Sequence, residues 1–334
     1  MYSAGRREIG QTVRNRIVTE AGTWYDEQKK SRRKDDDMST VLQTYGLTKA
    51  FGSKLAVDHV DMTIEQGDIY GFIGKNGAGK TTLMRLVLSL ALPTSGSYEL
   101  FGAAPTAQSR RRIGSLVETP GFYKNCSAQE NLTRFAGLYG TDLSEVKDVL
   151  GLIGLEGTGS KKAGKFSLGM KQRLGIGIAL LNHPDFIVLD EPVNGLDPAG
   201  ILEMRNLIQS LNRERGITFL ISSHLLDELS KIATRFGIIN NGKLVEEIRS
   251  EDLRNRDGNR TRFVVNDPQA AREALLPAAG AENITVRDHA LLVQGQTGDV
   301  PRLNRLLVEA GIEVSSISHE NSSLESFFME RIGR

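Results

Sequence analysis

One cysteine, one tryptophan and no apolar run of membrane-spanning length are the first things this 334-residue sequence withholds. A single thiol, Cys126, excludes an internal disulfide and fits a reducing compartment; it reads as a small side chain rather than a reactive one. Neither sign of charge is in excess, with 42 Lys and Arg against 41 Asp and Glu and a net charge of +1, so no basic footprint for nucleic acid is present. A bilayer span needs about 20 consecutive apolar residues, and the longest stretch, near Leu86–Leu92, ends at Pro93. The N-terminus is charged and lacks the apolar core of a secretory signal. What remains, 39% hydrophobic and 25% charged, is an ordinary globular composition, long enough for one large domain and a smaller one.

Residues 1–38 are expected to form a disordered extension, because charges mix there without apolar periodicity and end in Lys29-Lys-Ser-Arg-Arg-Lys-Asp-Asp-Asp37. Met38, just before the first strand-like segment, reads as an alternative translation start, and the apolar face around Trp24-Tyr25 is too thin for a membrane-surface helix. From there to about residue 255 strand-like and helix-like segments alternate. Val41–Gly46 and Ala56–Ile64 alternate as strands, Asp68–Ile73, Phe186–Asp190 and Ile217–Ser222 are short buried-strand runs, and Ser127–Leu155 has helical spacing. This alternation predicts an α/β fold with a largely parallel sheet. A polar run near Glu251–Arg260 marks a boundary. Beyond it, residues 260–334 read as a small α+β domain in the order strand, helix, strand, strand, helix, strand.

The chemistry concentrates in Gly74-Lys-Asn-Gly-Ala-Gly-Lys-Thr81, which matches G-x-x-x-x-G-K-[ST] between a strand and a helix. Gly74, Gly77 and Gly79 let successive N–H groups turn toward phosphate oxygens, with Asn76, Ala78 and Thr82 completing the cradle. Lys80 is placed for the β- and γ-phosphates and Thr81 for Mg²⁺, and the helix that follows adds its positive end. A nucleoside triphosphate is the expected ligand. Phe186-Ile-Val-Leu-Asp190-Glu191 is the second element, an apolar strand that delivers two carboxylates: Asp190 for Mg²⁺ and Glu191 as general base for water.

With these two elements and a third, Phe166-Ser-Leu-Gly-Met-Lys-Gln-Arg173, the sequence resembles the ATP-binding cassette (ABC) ATPases over about residues 40–250. The resemblance implies a phosphate-loop cassette with an antiparallel β subdomain and a helical subdomain, ATP and Mg²⁺ as ligands, and ATP hydrolysis. It further implies that Ser167 and Gly169 touch the γ-phosphate of ATP held by a second copy, so that a homodimer encloses two nucleotides. The motif opens a helix, expected over Met170–Leu181, whose N-terminus faces an anion. Leu168 stands where relatives carry glycine, and would be strained if that position needs positive φ. Asn194-Gly-Leu-Asp197 matches the D-loop and His224 the switch histidine that contacts the γ-phosphate. Phe51 fits the aromatic that stacks on adenine, with a core phenylalanine at a turn as the alternative.

Most relatives carry glutamine where Glu118 stands, at a position that senses Mg²⁺ and the attacking water; a carboxylate there adds negative charge beside the metal. Glu118 and the Ser-Leu-Gly-Met variant together resemble the branch of bacitracin-resistance and lantibiotic-immunity transporters. The resemblance implies an energising subunit, cytoplasmic and peripheral at the inner face of the membrane. Its partner would be a separate integral membrane permease, met by the Thr119–Leu132 loop. Phe122 and Tyr123 are then either anchors for that permease or core residues. The rival function is a soluble cassette ATPase working on nucleic acid or ribosomes, against which stand a single nucleotide-binding domain and the missing basic stripe. A phosphate-loop kinase or GTPase leaves Phe166–Arg173 unexplained. The C-terminal domain, ending Ser323-Leu-Glu-Ser-Phe-Phe-Met-Glu330, shows no catalytic spacing; it reads as a dimer contact, a regulatory module or a structural cap, with His289 and His319 on its surface.

Overall fold

A computed structural model of the chain describes residues 40–118, 120–256, 260–287, 290–294, 299–320, 327–329 and 331. The expected extension at 1–38, Trp24-Tyr25, Thr119, His289 and most of the terminal motif 323–330 lie outside these residues. The chain forms two compact units, one from residues up to His224 with Ile239–Leu244, the other from Leu225–Ile238 and Val245 onward.

The first unit begins with a four-stranded antiparallel sheet in which β1 (Thr40–Phe51) pairs with β2 (Lys54–Val60), β3 (Thr63–Glu65) and later β5 (Ser95–Leu100). The sequence reading expects one strand over Ala56–Ile64; the structure breaks it in two. His59 adopts φ 50°, and the buried Thr44 hydroxyl bridges the break, donating to the Val60 carbonyl at 2.8 Å and accepting from Met62 N at 2.8 Å. A buried hydroxyl satisfied on both sides replaces the lost ladder bonds.

The parallel sheet has the order β4 (Ile69–Ile73), β8 (Thr218–Ser223), β7 (Phe186–Asp190), β6 (Ile113–Leu116). Every residue of β4, β7 and β8 is buried, as a sheet covered on both faces requires. Helix α1 (Lys80–Val87) follows β4 and buries Leu83, Met84, Leu86 and Val87. The short α2 (Ala107–Arg111) precedes β6, and α3 (Ala128–Tyr139) and α4 (Glu145–Leu152) form the helical region, followed by α5 (Leu168–Leu180). Helix α5 begins two residues earlier than expected because Ser167 caps it, accepting a hydrogen bond from Met170 N. It lies hard on β6: a Cβ at Gly175 would come within 2.7 Å of Leu116, and one at Gly114 within 3.0 Å of Ala179. Helix α6 (Pro198–Arg215) joins β7 to β8, with Asp197 as N-cap and Gly216 closing its end in the left-handed region.

After α7 (Leu226–Ser230), β9 (Arg235–Asn240) and β10 (Lys243–Arg249) are joined by Asn241-Gly242, both at positive φ, and α8 (Ser250–Arg256) follows. The second unit carries its own sheet in the order β12 (Ile284–Arg287), β13 (Ala290–Gln294), β11 (Arg260–Val265), β14 (Val314–Glu320). With α9 (Pro268–Ala279) and α10 (Val300–Glu309) this reproduces the expected element order. Phe263, Leu275, Leu291 and Leu307, each fully buried, centre its core. Among the described residues no helix is long and apolar enough to cross a membrane.

Candidate functional site

Parallel register places the chemistry along one edge. Ile73 on β4 lies beside Ser223 on β8, Asp190 on β7 beside Ser222 on β8, and Leu189 on β7 beside Leu116 on β6. The loops that leave these strands therefore emerge together at their C-terminal ends, where open α/β sheets place ligands.

Between β4 and α1 the loop curls tightly. Gly79 has φ 115°, and a Cβ on it would sit 2.3 Å from the Ala56 carbonyl oxygen; one on Gly74 would sit 2.6 Å from the Ile239 carbonyl oxygen. Neither position tolerates a side chain. Ala78 N donates to the Lys75 carbonyl and the Ala78 carbonyl accepts from Gly242 N, which fixes the curl from both sides. Lys80, only 6% exposed, bends back over the loop and donates to the Gly74 carbonyl at 2.6 Å, with Glu191 Oε1 at 3.5 Å. An ammonium among carbonyls at a helix start suits a bound polyphosphate.

A chain of hydrogen bonds continues from there. Thr81 Oγ1 donates to Asp190 Oδ2 at 2.8 Å, and Ser222 Oγ donates to Asp190 Oδ1 at 2.5 Å. The same Ser222 oxygen accepts from Glu191 N at 2.9 Å. Glu191 Oε2 meets His224 Nδ1 at 2.7 Å and accepts from His224 N at 3.3 Å. Asp190 is buried, while Glu191 and His224 reach solvent. The buried carboxylate, Asp190, has a hydroxyl donor on each of its oxygens, as desolvation demands. Glu191 stands at φ 50°, in the left-handed region that a glutamate seldom occupies. Lys80, Thr81, Asp190, Glu191 and His224 are brought together. Ser222 joins them, and its signal in the sequence was a polar residue ending an apolar strand.

The other sequence-predicted residues stand apart from this cluster. Glu118, two residues beyond β6 and at φ 64°, forms an ion pair with Arg85 of α1. Arg85 had no sequence signal beyond its place on the outer face of a helix. Phe51 ends β1 and is 58% exposed, with the Lys49 ammonium 5.2 Å from its ring centre, so the core alternative for Phe51 is excluded. Ser167 and Gly169 open α5 beside the D-loop: a Cβ at Gly169 would lie 3.7 Å from Leu196 Cδ2, and one at Gly195 3.2 Å from Leu168 Cδ2. Leu168 is the first residue of α5 and is not among the positive-φ residues, so the strain considered for it does not arise. Asp197 Oδ1 accepts from Gly200 N at 2.9 Å. Of the two aromatics after Glu118, Phe122 is half-buried and Tyr123 is exposed. The Tyr123 ring lies 6.0 Å from that of Phe135. The buried Asn131 staples this loop, accepting from Tyr123 N and donating toward the Tyr123, Cys126 and Ser127 carbonyls.

Comparison with known proteins gives a consistent picture. The ABC transporter family profile matches residues 57–194. The bacitracin transport ATP-binding protein BcrA of Bacillus licheniformis is 46% identical over 301 residues, 89% of this chain and 98% of that protein. The lantibiotic transport ATP-binding protein SrtF of Streptococcus pyogenes is 42% identical over 207 residues, covering 62% of this chain and 90% of its own. Among solved structures, a nucleotide-free ATP-binding cassette from an ABC transporter superposes with a TM-score of 0.57 at 27% identity, over 64% of this chain and 92% of that one.

Proposed function

The chain belongs to the ABC transporter ATPase family, and from that premise we propose that it powers export of a peptide antibiotic through a separate membrane permease. Cassettes of this family hydrolyse ATP. The relatives named for bacitracin and lantibiotic transport support this substrate class and a transport role beside a permease.

The observation that carries the catalytic reading is the hydrogen-bonded chain Thr81–Asp190–Ser222–Glu191–His224 beside Lys80. We assign the Gly74–Thr82 loop and Lys80 to the phosphates. Thr81 and Asp190 offer hard oxygen donors, which suit Mg²⁺; with no cluster of three or more His, Cys, Asp or Glu side chains among the described residues, the ion would be shared with phosphate oxygens. Magnesium supplies charge neutralisation of the phosphates when bound. Glu191 is the general base for water; His224, hydrogen-bonded to it, orients the carboxylate and faces the γ-phosphate. Phe51 stacks on the adenine. Residues 39–255 act as the cassette, and 260–334 as an accessory domain.

The site is completed by a second copy. Ser167, Gly169 and the first-turn N–H groups of α5 would meet the γ-phosphate on the partner's phosphate loop, and Asp197 would lie at the shared axis. Closure then depends on ATP and reopening on hydrolysis. The Thr119–Leu132 loop, whose Tyr123–Ser127 part is stapled by Asn131, would receive the permease. Affinity purification from membranes tests the reading: recovery of a multi-spanning protein and ATP turnover that rises with bacitracin-like peptides are expected. Turnover stimulated by ribosomes or RNA, with no membrane protein recovered, would overturn it.

A further inference from the structure

We propose that Arg85 is the counter-charge that makes a carboxylate workable at position 118, holding Glu118 against the phosphate-loop helix and cancelling its charge toward the bound metal. The inference rests on the ATPase reading above. Glu118 and Glu191 leave the sheet from neighbouring strand ends, each two residues beyond the paired Leu116 and Leu189, and both stand at left-handed φ. Asp190 ends β7 immediately before Glu191, so all three carboxylates lie at the C-terminal ends of the neighbouring strands β6 and β7, the edge where a polyphosphate and its cation would bind. Lys80 serves Glu191 at 3.5 Å, and Thr81 with Ser222 serves Asp190. Arg85 answers the third: its Nη2 pairs with Glu118 Oε1.

The geometry suits this task. Helix α1 presents Leu83, Met84, Leu86 and Val87 to the core, while the Arg85 side chain points outward and remains 44% exposed, with that of Glu118 59% exposed. Burial gives Arg85 no packing role of comparable weight. An ion pair this open contributes little to stability. Its effect is on the local field, because Arg85 starts only five positions from Lys80 on the same short helix. Removing the guanidinium leaves Glu118 as an uncompensated negative charge beside a divalent cation. The cation is then held more tightly and the carboxylate is able to turn toward it. Arg85 is therefore a positioning residue that sets metal dependence through Glu118.

A double-mutant cycle on the full chain tests this. The reading is the Mg²⁺ concentration at half-maximal binding of a fluorescent ATP analogue, with Mg²⁺-dependent turnover measured alongside. Arg85→Met is expected to lower that midpoint about 3- to 10-fold, the size of one added charge near a solvated divalent ion. In a Glu118→Gln background the same substitution should leave it within about 1.5-fold. Arg85→Lys should restore wild-type behaviour, and Arg85→Gln serves where Met impairs folding. An equal shift in both backgrounds, as a helix-end charge acting alone would give, overturns the proposal, and so does no shift in either. If the unaltered chain binds no nucleotide with any divalent ion, the ATPase reading itself fails, which is a separate result.

Discussion

The Thr81 hydroxyl donates a hydrogen bond to Asp190 across 109 residues of sequence, at 2.8 Å. This bond ties the first turn of α1 to the end of β7, and through Ser222 it reaches Glu191 and His224. The residues proposed for metal binding and for water activation therefore form one connected unit, and substitutions in it should separate binding from turnover.

Glu191→Gln should keep ATP binding and lower turnover about 10²- to 10⁴-fold, the usual worth of a general base. Light scattering with ATP present should then show an accumulated dimer. Turnover near that of the unaltered chain would remove Glu191 from its assigned role.

Lys80→Ala should abolish nucleotide binding, because it removes the buried ammonium that the loop carbonyls hold at the phosphate position. Equilibrium binding with labelled ATP is the check, and an unchanged affinity would refute the phosphate-loop assignment.

Ser222→Ala should cost about 1–3 kcal/mol of stability, since buried Asp190 Oδ1 loses its hydroxyl donor and Glu191 N one of its acceptors. Urea unfolding measures the first effect, and turnover should fall at least about tenfold as Glu191 loses its anchor.

Gly195→Ala should destabilise by about 1–2 kcal/mol, from an L-residue at φ 74° and a Cβ 3.2 Å from Leu168 Cδ2. Adding Leu168→Ala removes the second contribution only, so the double variant should regain a few tenths of a kcal/mol. Full recovery would show that backbone strain at Gly195 is absent.

Ser127→Ala should cost about 1 kcal/mol through loss of the cap of α3. Its partner Glu130 accepts from Ser127 N at 2.6 Å and pairs with Lys162, and these hold its carboxyl below the ordinary range, the backbone bond foremost. A depressed carboxyl stabilises the fold above its unfolded pKa, and that contribution is lost as pH falls through the folded value. The gap in melting temperature between the unaltered chain and Glu130→Gln should therefore close as pH drops below about 4.3. A gap that is constant with pH would contradict the assignment.

Local chemistry explains which parts of this molecule were legible in the sequence. Gly74–Thr81 and Phe186–Glu191 each carry their meaning within a few residues, because a cradle needs glycines and a buried strand needs an apolar run before its acid. The six-element order of the C-terminal unit was legible because strand-like and helix-like segments follow one another beyond the polar run at Glu251–Arg260. The local pattern puts the start of α5 at Met170, two residues late, because Ser167 reads there as a ligand contact and not as the helix cap it forms. The break between β2 and β3 depends on a hydroxyl at Thr44 across the sheet, which no local pattern encodes. Arg85 was invisible for the same reason: a charged residue on the outer face of a helix names no partner until β6 and α1 are placed together. Asn131 likewise looks like any polar helical residue until the Tyr123–Ser127 backbone wraps it.

Glu118 and Glu191 share one more property, a backbone twisted into the left-handed region at φ 64° and 50°. A side chain there costs of order 1 kcal/mol that glycine would not. Selection for thermal robustness alone would thus favour replacing the two carboxylates on which the proposed chemistry turns. Libraries built to harden this protein will drift toward a sturdier and inert chain unless positions 118 and 191 are held fixed.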